Sequence, residues 1–200
     1  IHFDISSEMS SAYANAVNAA KKFENVYVVD SRTLSTAISL EAIYAKKLTE
    51  TMDDPAEIVK AVEKRIPSVQ ASFIIERLDY LYKGGRCSGL ALLGANLLRI
   101  RPEIEVIGGT MKNTEKFRGK MTDCVTKYCR ATLEKYNHPD KSVIFITHSV
   151  AEPEMVEAAK AVVAEYGFEN GYETTAGCTV SSHCGKNTLG ILYINDGENA

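Results

Sequence analysis

Short apolar segments alternate with helical patterns along the first 70 residues, and this alternation restricts the fold more than any other feature. Residues 1–5 and 26–29 predict strands, while the apolar positions between residues 13 and 23 and the segment 35–48 predict helices. Strands that are joined through helices form parallel sheets, so we predict a parallel, doubly wound sheet here. Asp54-Pro55 predicts the start of another helix, because Asp caps it and Pro suits its first turn.

The later part of the chain shows a different pattern. Residues 103–112, with Gly108-Gly109 in the middle, predict a β-hairpin, and an apolar stripe between residues 121 and 136 predicts a long helix. The other predicted elements are strands at 71–75, 143–147, 172–178 and 189–194, and helices at 78–82, 88–98 and 153–166. We therefore predict two domains, an incomplete parallel α/β domain over residues 1–70 and a mixed-sheet α/β sandwich over residues 71–200.

Composition excludes several classes of protein. The 23 Lys and Arg residues against 26 Asp and Glu residues give a formal charge of −3, so we expect no bulk attraction to nucleic acid or to an anionic membrane. No apolar stretch approaches the roughly 18 residues that span a bilayer, and the first residues lack the pattern of a signal peptide. Five cysteines without a CxxC pair favour reduced thiols, so we expect a cytoplasmic protein.

Four serines stand between the first predicted strand and the first predicted helix, at positions 6, 7, 10 and 11. Ligands of open parallel sheets bind beyond the carboxyl ends of the strands, where helix N-termini offer unpaired N–H groups. Ser6, Ser7 and Ser10 are therefore candidates for holding a carboxylate or a phosphate. Ordinary helix capping explains the same serines, and it also explains Ser31 after the second predicted strand.

Two side chains in the second half, an arginine and a histidine, are candidates for binding an anion. Arg118 stands at the head of the predicted long helix, where a cation needs solvent or an anion, and its planar fork suits a carboxylate. His183 stands in residues 181–190, a predicted loop, and imidazole suits an anionic head group near neutral pH. A solvated basic turn and an exposed loop histidine are the alternatives. Zinc held by Cys178, His183 and Cys184 is disfavoured, because adjacent ligands rarely close a tetrahedron.

Taken in order, these features resemble the DegV family of bacterial fatty-acid-binding proteins, over essentially the whole chain. The most specific segment is Leu78-Asp79-Tyr80-Leu81-Tyr82-Lys83-Gly84-Gly85-Arg86, which is similar to the family's Leu-x-Tyr-Leu-x-x-Gly-Gly-Arg. The other similar segments are residues 5–13, residues 28–31 with Ser35, residues 97–102, Arg118 after the hairpin, and residues 183–190.

The resemblance implies the two-domain α/β fold of that family, also called the EDD fold, with a Rossmann-like first domain and a fatty acid buried between the domains. It implies a carboxylate held by Ser6, Ser7, Ser10, Arg118 and His183, and a pocket lined by Ser31, Ser35 and Thr188. It implies a carrier with no catalytic residue, metal or cofactor, whose ligand is a long-chain fatty acid. The expected partner is a fatty acid kinase subunit that phosphorylates the carboxylate for phospholipid synthesis, and membrane contact is expected to be transient.

The chain departs from the family pattern at several positions. Ser11-Ala12 replaces Gly-Thr, Ala37 and Ser39 replace glycines, and Lys186-Asn187 replaces Pro-Gly. The family's N-terminal segment carries a Thr-Ser-x-Pro-Ser motif that also contacts the carboxylate, and that motif is not found in these 200 residues. We therefore expect a complete pocket to need such a segment.

An alternative function uses one of the serines as a nucleophile and His183 as its base. The protein would then be a hydrolase or transferase that acts on an acyl or phosphate ester. The sequence has no G-x-S-x-G elbow, and Lys83-Gly84-Gly85-Arg86 lacks the spacing of a P-loop, which also disfavours a kinase-like fragment.

Overall fold

A computed structural model of the chain describes residues 1–86 and 99–197. The predicted helix at 88–98, Cys87 and the first two residues of the segment 97–102 lie outside the described residues. The chain divides into two compact units, of which the first contains residues 1–69 and 107–110 and the second contains residues 70–106 and 111–200. The sequence did not indicate that the hairpin tip belongs with the first unit. The domain limits of 1–70 and 71–200 remain predictions.

The first unit contains a two-stranded parallel sheet. Strands β1 (His2–Asp4) and β2 (Val28–Asp30) are paired with Phe3 opposite Val29, as expected for strands joined through a helix. The helices of this unit are α1 (Ala12–Ala20), α2 (Thr36–Leu48), α3 (Pro55–Arg65) and a 3₁₀ turn (Ile66–Ser68). The expectation that Phe23 lies on the apolar face of α1 is wrong, because the helix ends before it and Phe23 is 62% exposed.

The core of the first unit forms where α2 meets α3. The buried apolar side chains at this contact are Ala45, Ile58 and Val62. Asp54 begins α3 as predicted, since its carboxylate accepts from the N–H of Ala56 at 2.8 Å and Pro55 takes the first helical position.

The second unit is built on a six-stranded mixed sheet with the strand order β5-β4-β3-β8-β6-β7. Its strands are β3 (Val69–Ile74), β4 (Ile100–Ile107), β5 (Thr110–Arg118), β6 (Val143–Ser149), β7 (Asn170–Thr175) and β8 (Thr188–Ile194). Its helices are α4 (Asp79–Lys83), α5 (Met121–Lys135), α6 (Pro153–Ala164) and α7 (Cys178–Cys184). Strand β6 runs parallel to β7 and antiparallel to β8, and β3 runs antiparallel to β4. The predicted mixed sheet is therefore confirmed.

The core of the second unit lies where α5 and α6 cover one face of this sheet. The predicted stripe on α5 is confirmed, with buried side chains at Met121, Cys124, Val125, Tyr128, Cys129, Thr132 and Leu133. The Tyr128 hydroxyl donates to the carbonyl of Ser72 on β3 at 2.8 Å and accepts from the N–H of Ile191 on β8 at 3.1 Å. It therefore joins the two central strands. In the described residues no helix combines the length and apolarity needed to cross a bilayer.

Two local predictions in the second unit are wrong. The predicted loop at 181–190 contains the end of α7 and the start of β8, with the loop limited to residues 185–187. Helix α7 has only seven residues, which is too short for an apolar period to reveal it. Arg118 is the last residue of β5 and does not lie in a basic turn at the head of α5, because the hairpin strand is longer than residues 110–112 indicated.

The hairpin itself follows the prediction. Gly108 and Gly109 both have positive φ, 61° and 85°, which is the requirement of the two-residue turn that matches the twist of antiparallel strands. Strand β5 therefore runs back beside β4. Because β3 is also antiparallel to β4, strands β3 and β5 end at the same end of the sheet.

Glu41 is a buried acid on the inner face of α2. It is 2% exposed, and neither carboxylate oxygen has a hydrogen-bond partner among the described residues. Burial, together with the negative charge of Asp30, raises the pKa of Glu41 to about 9. The side chain is therefore protonated near neutral pH, and its ionisation opposes folding.

We expect Glu41→Gln to stabilise the chain, by an amount that grows with pH. The folded pKa of about 9 lies above the ordinary value of 4.5, so the contribution of wild-type Glu41 is complete below pH 4.5 and is lost as the pH rises towards 9. The urea midpoint of the variant should exceed that of the wild type by more at about pH 8 than at about pH 5. Glu63→Gln, at an exposed site on α3, is the control, and a gain that is equal at both pH values contradicts the account.

Candidate functional site

In the first unit, the predicted serines lie where β1 and β2 end. Asp30 forms the centre of this cluster, because its carboxylate accepts from the N–H and the hydroxyl of Ser7, at 3.0 and 2.5 Å, and from the N–H of Arg32 at 3.1 Å. Partial burial pushes the pKa of Asp30 upward, but the hydrogen bonds from Ser7 and Arg32 outweigh it and hold the pKa below its ordinary value. The Ser7 hydroxyl is thus already bound to a carboxylate of the protein.

Ser6 and Ser10 differ in whether their hydroxyl hydrogen is already used in a hydrogen bond. Ser6 is fully buried, and its hydroxyl donates to the carbonyl of Gly109 at 2.7 Å. Ser10 is half-buried, and its oxygen accepts from the N–H of Ala12 at 3.1 Å. A serine hydroxyl has one hydrogen to donate, and that of Ser10 has no acceptor among the described residues. A carboxylate-binding role for these serines stays a prediction. Of Ser6 and Ser10, it is Ser10 whose hydroxyl hydrogen remains available to donate to a carboxylate.

Arg32 is a residue of this cluster that the sequence did not indicate. Its guanidinium donates to the Ser7 hydroxyl at 3.2 Å and to the carbonyl of Gly108 at 2.5 Å. A Cβ atom on Gly109 would lie 2.7 Å from Oγ of Ser6 and 2.8 Å from Cζ of Arg32, so glycine alone fits there. No local pattern predicts such a contact, because the two segments are far apart along the chain.

Ser31 and Ser35, which the resemblance places in the pocket, have different surroundings. Ser31 is fully buried, and its oxygen both donates to the carbonyl and accepts from the N–H of Thr33, at 3.3 and 3.2 Å. Ser35 is half-buried, makes no capping bond to α2 and has a φ of 56°. A non-glycine residue in such a region costs about 1–3 kcal/mol, so the surrounding structure holds Ser35 in place.

In the second unit, Arg118 and His183 lie at the same end of the six-stranded sheet. Arg118 ends β5, which finishes at the end where β3 finishes. Helix α4 follows β3 and packs against α7, the helix that carries His183 and leads into β8. Two strands, β4 and β3, separate β5 from β8.

Neither of these two side chains forms a hydrogen bond with another described residue of its unit. Arg118 is exposed and His183 is half-buried, and in the part of the chain that the structure describes neither has a hydrogen-bonded partner. Thr188 differs, since it is buried and its hydroxyl donates to the carbonyl of Cys184 at 2.9 Å. A guanidinium is a donor only and an imidazole donates through its N–H, so an anion could accept hydrogen bonds from both.

The place of His183 is set by a contact between two glycine segments. A Cβ atom on Gly84, which ends α4, would overlap Nδ1 of His183 and lie 2.8 Å from its Cε1. A Cβ atom on Gly185, which ends α7, would lie 2.6 Å from the ring of Tyr80. Two segments that are separate motifs in the sequence therefore pack against each other, residues 78–86 and residues 183–190.

Metal ligation finds no support in the arrangement of side chains. Residues 1–86 and 99–197 contain no group of three His, Cys, Asp or Glu side chains that could hold a metal ion. Cys178 is exposed and Cys184 is buried, and burial raises the pKa of the Cys184 thiol.

Known proteins of similar sequence place the chain in a family. The family model described as uncharacterised protein, DegV family, matches residues 1–196. The chain belongs to the DegV family. A relative from Thermotoga maritima named fatty acid-binding protein is 30% identical over 194 residues, which are 94% of this chain and 66% of the relative. A DegV domain-containing protein from Clostridium acetobutylicum is 30% identical, over 97% of this chain and 69% of that protein. This DegV chain thus spans about two thirds of the length of these relatives.

Solved structures of similar proteins have the same fold. A DegV lipid binding protein from Thermotoga maritima matches with a TM-score of 0.81 at 28% identity, over 96% of this chain and 67% of that chain. The fatty acid kinase B3 protein of Streptococcus pneumoniae, loaded with linoleic acid, matches with a TM-score of 0.84 at 19% identity, over 97% of this chain and 70% of that chain. The expected α/β fold of the DegV family is therefore confirmed.

We expect Gly84→Ala to displace His183, because the new methyl group would occupy the volume of its ring. The measurement is the NMR signal of the His183 imidazole, assigned with the aid of His183→Ala. Gly177→Ala is the matched control, since this residue precedes α7 and a Cβ atom there meets nothing within 4 Å. A His183 signal that is the same in the wild type and in Gly84→Ala contradicts the contact.

Proposed function

We propose that this DegV chain is a cytoplasmic carrier that binds a long-chain fatty acid and presents its carboxylate to a separate fatty acid kinase. The observation that supports an anionic ligand is the position of Arg118 and His183. Both lie at one end of the second unit's sheet, and neither has a partner among the described residues. The relative from Thermotoga maritima that is named fatty acid-binding protein supports the class of ligand.

The two parts of a fatty acid, its carboxylate and its apolar tail, need different surroundings in a binding site. A carboxylate that leaves water is costly unless charged or polar donors replace its hydration. Arg118 and His183 are the donors that we propose for this carboxylate. A role for the Ser10 hydroxyl in the first unit stays a prediction. Burial of the tail contributes most of the affinity, at roughly 0.8 kcal/mol for each methylene group.

We propose that phosphorylation of the bound acid takes place on a different protein. Residues 83–86 are the glycine-containing segment that most resembles a phosphate-binding loop, and they form the end of α4. Gly85 has a φ of 72°, the N–H of Arg86 donates to the carbonyl of Leu81 at 2.8 Å, and the Arg86 guanidinium donates to the carbonyl of Gly84 at 2.6 Å. Because this segment is a helix terminus, we assign nucleotide binding to the kinase partner.

The hydrolase or transferase alternative needs a hydroxyl that is activated by His183. In the described part of the second unit, no serine or threonine hydroxyl is hydrogen-bonded to the His183 imidazole. The described part of the second unit therefore gives His183 no hydroxyl to activate, and the alternative with a serine of the first unit stays a prediction.

The direct test of the proposal is to look for the ligand. The purified chain is extracted with organic solvent, the extract is analysed by mass spectrometry, and the delipidated chain is titrated with oleate. We expect a stoichiometric acid of about 16 to 18 carbons, for which tail burial outweighs the cost of binding. An empty extract together with no binding of oleate contradicts the proposal.

We expect Arg118→Ala and His183→Ala each to weaken oleate binding about tenfold to a hundredfold, which is the usual size of a charged hydrogen bond. The urea midpoint should change little, because neither side chain has a hydrogen-bond partner among the described residues. Arg130→Ala and His138→Ala remove the same side chains elsewhere on the second unit and should leave oleate affinity unchanged. Unchanged affinity in both site variants removes these residues from the site.

A further inference from the structure

A chain of polar contacts joins neighbouring strands at the end of the sheet that carries Arg118 and His183. Glu76 follows β3, and its Oε2 accepts from Nδ2 of Asn187 at 2.9 Å. Its other oxygen, Oε1, lies 3.7 Å from the guanidinium of Arg101 on β4. The same guanidinium donates to the main-chain carbonyl of Glu76 at 2.9 Å. Glu76 is thus held by one strand and in turn holds the segment that precedes β8.

Asn187 brings these contacts close to His183, which lies four residues before it. Asn187 is 7% exposed, has a φ of 57°, and its N–H donates to the carbonyl of Val150 at 3.4 Å. Asparagine is among the few non-glycine residues that tolerate this conformation. The resemblance expects glycine here, so the side chain of Asn187 adds a hydrogen bond that glycine cannot make.

Arg101 brings the contacts close to Arg118. The N–H of Gly119 donates to the carbonyl of Arg99 at 3.1 Å, so the end of β5 lies beside the start of β4. The side chains of Arg101 and Glu76 are 15% and 25% exposed. Water therefore screens this ion pair less than it screens a surface pair.

We propose that Glu76 is a positioning residue for the carboxylate site. Its contacts with Arg101 and Asn187 hold the start of β4 and the segment after α7 at a fixed spacing. Arg118 ends β5, the strand beside β4, and His183 lies on α7, which leads into the held segment, so these contacts help to set the spacing of the two side chains. This inference rests on the proposed function, because it concerns how the two candidate ligands are placed.

The polar atoms around Glu76 are buried, so water cannot easily take over its hydrogen bonds. Oδ1 of Asn187 and Nε of Arg101 are buried without a partner among the described residues. If Glu76 is truncated, Nδ2 of Asn187 also loses its partner, and an unpaired buried polar group is destabilising. The segment after His183 is then expected to move towards water.

The test is a double-mutant cycle on oleate affinity, measured by calorimetry with the full chain. We expect Glu76→Ala to weaken binding about threefold to tenfold in the wild type and to have little further effect when His183→Ala is already present. Additive losses of affinity would overturn the positioning role. Glu165→Ala, which removes an exposed partner of Arg130, is the control and should leave oleate affinity unchanged.

Exchanging the donor and the acceptor of the hydrogen bond between Glu76 and Asn187 distinguishes a positioning role from a general loss of stability. Asn187→Asp alone places two carboxylates together and should weaken oleate binding. Combined with Glu76→Gln it restores one donor and one acceptor with their roles exchanged, and affinity should recover. The urea midpoint is measured for each variant, and affinities that merely follow the midpoint overturn the inference.

Failure of the proposed function can be told apart from failure of the positioning role of Glu76. If the wild-type chain does not bind oleate, or if His183→Ala and Arg118→Ala do not weaken binding, the proposed function is wrong. The His183 imidazole signal then tests the role of Glu76 alone. We expect Glu76→Ala to shift this signal and to leave that of His148 in place, and two unshifted signals overturn the inference.

Discussion

His183 occupies its place because Gly84 has no side chain, and the ring of Tyr80 lies over Gly185 for the same reason. These two contacts dock α4 on α7. They lie beside the end of β3 and the start of β8, which are neighbours in the sheet, in the part of the molecule where an acid is proposed to bind. A methyl group on Gly84 would overlap the ring of His183, and one on Gly185 would overlap the ring of Tyr80. The placement of His183 therefore depends on close packing at these two glycines.

Hydrogen-bond capacity distinguishes the candidate ligand groups more sharply than residue type does. The hydroxyls of Ser6 and Ser7 are used by a carbonyl and by the carboxylate of Asp30. The side chains of Arg118 and His183 have no hydrogen-bond partner among the described residues, and N–H donors without a partner favour an incoming anion. The fatty acid proposal therefore depends more on these two residues than on the serine cluster.

Features that depend on near neighbours in the chain were predictable. The Gly108-Gly109 turn, the stripe on α5 and the start of α3 at Asp54 follow from local geometry and from periodicity. Features that depend on distant segments were not. The burial of Glu41, the contacts that Arg32 makes and helix α7 are set by which segments meet in space, and seven residues carry too little periodicity to reveal a helix. Family motifs located the candidate site. Which of its side chains have hydrogen-bond partners, and which do not, is visible only in the structure.

The central claim is that cationic side chains of the second unit hold the carboxylate of a fatty acid. Oleic acid labelled with ¹³C at its carboxyl carbon reports on that group directly, because its chemical shift follows ionisation. If Arg118 and His183 surround the carboxylate, the bound acid should titrate well below the ordinary pKa of a carboxylic acid, and Arg118→Ala should raise this pKa towards the ordinary value. A bound acid whose pKa is ordinary or raised, and is the same in Arg118→Ala, would contradict the account.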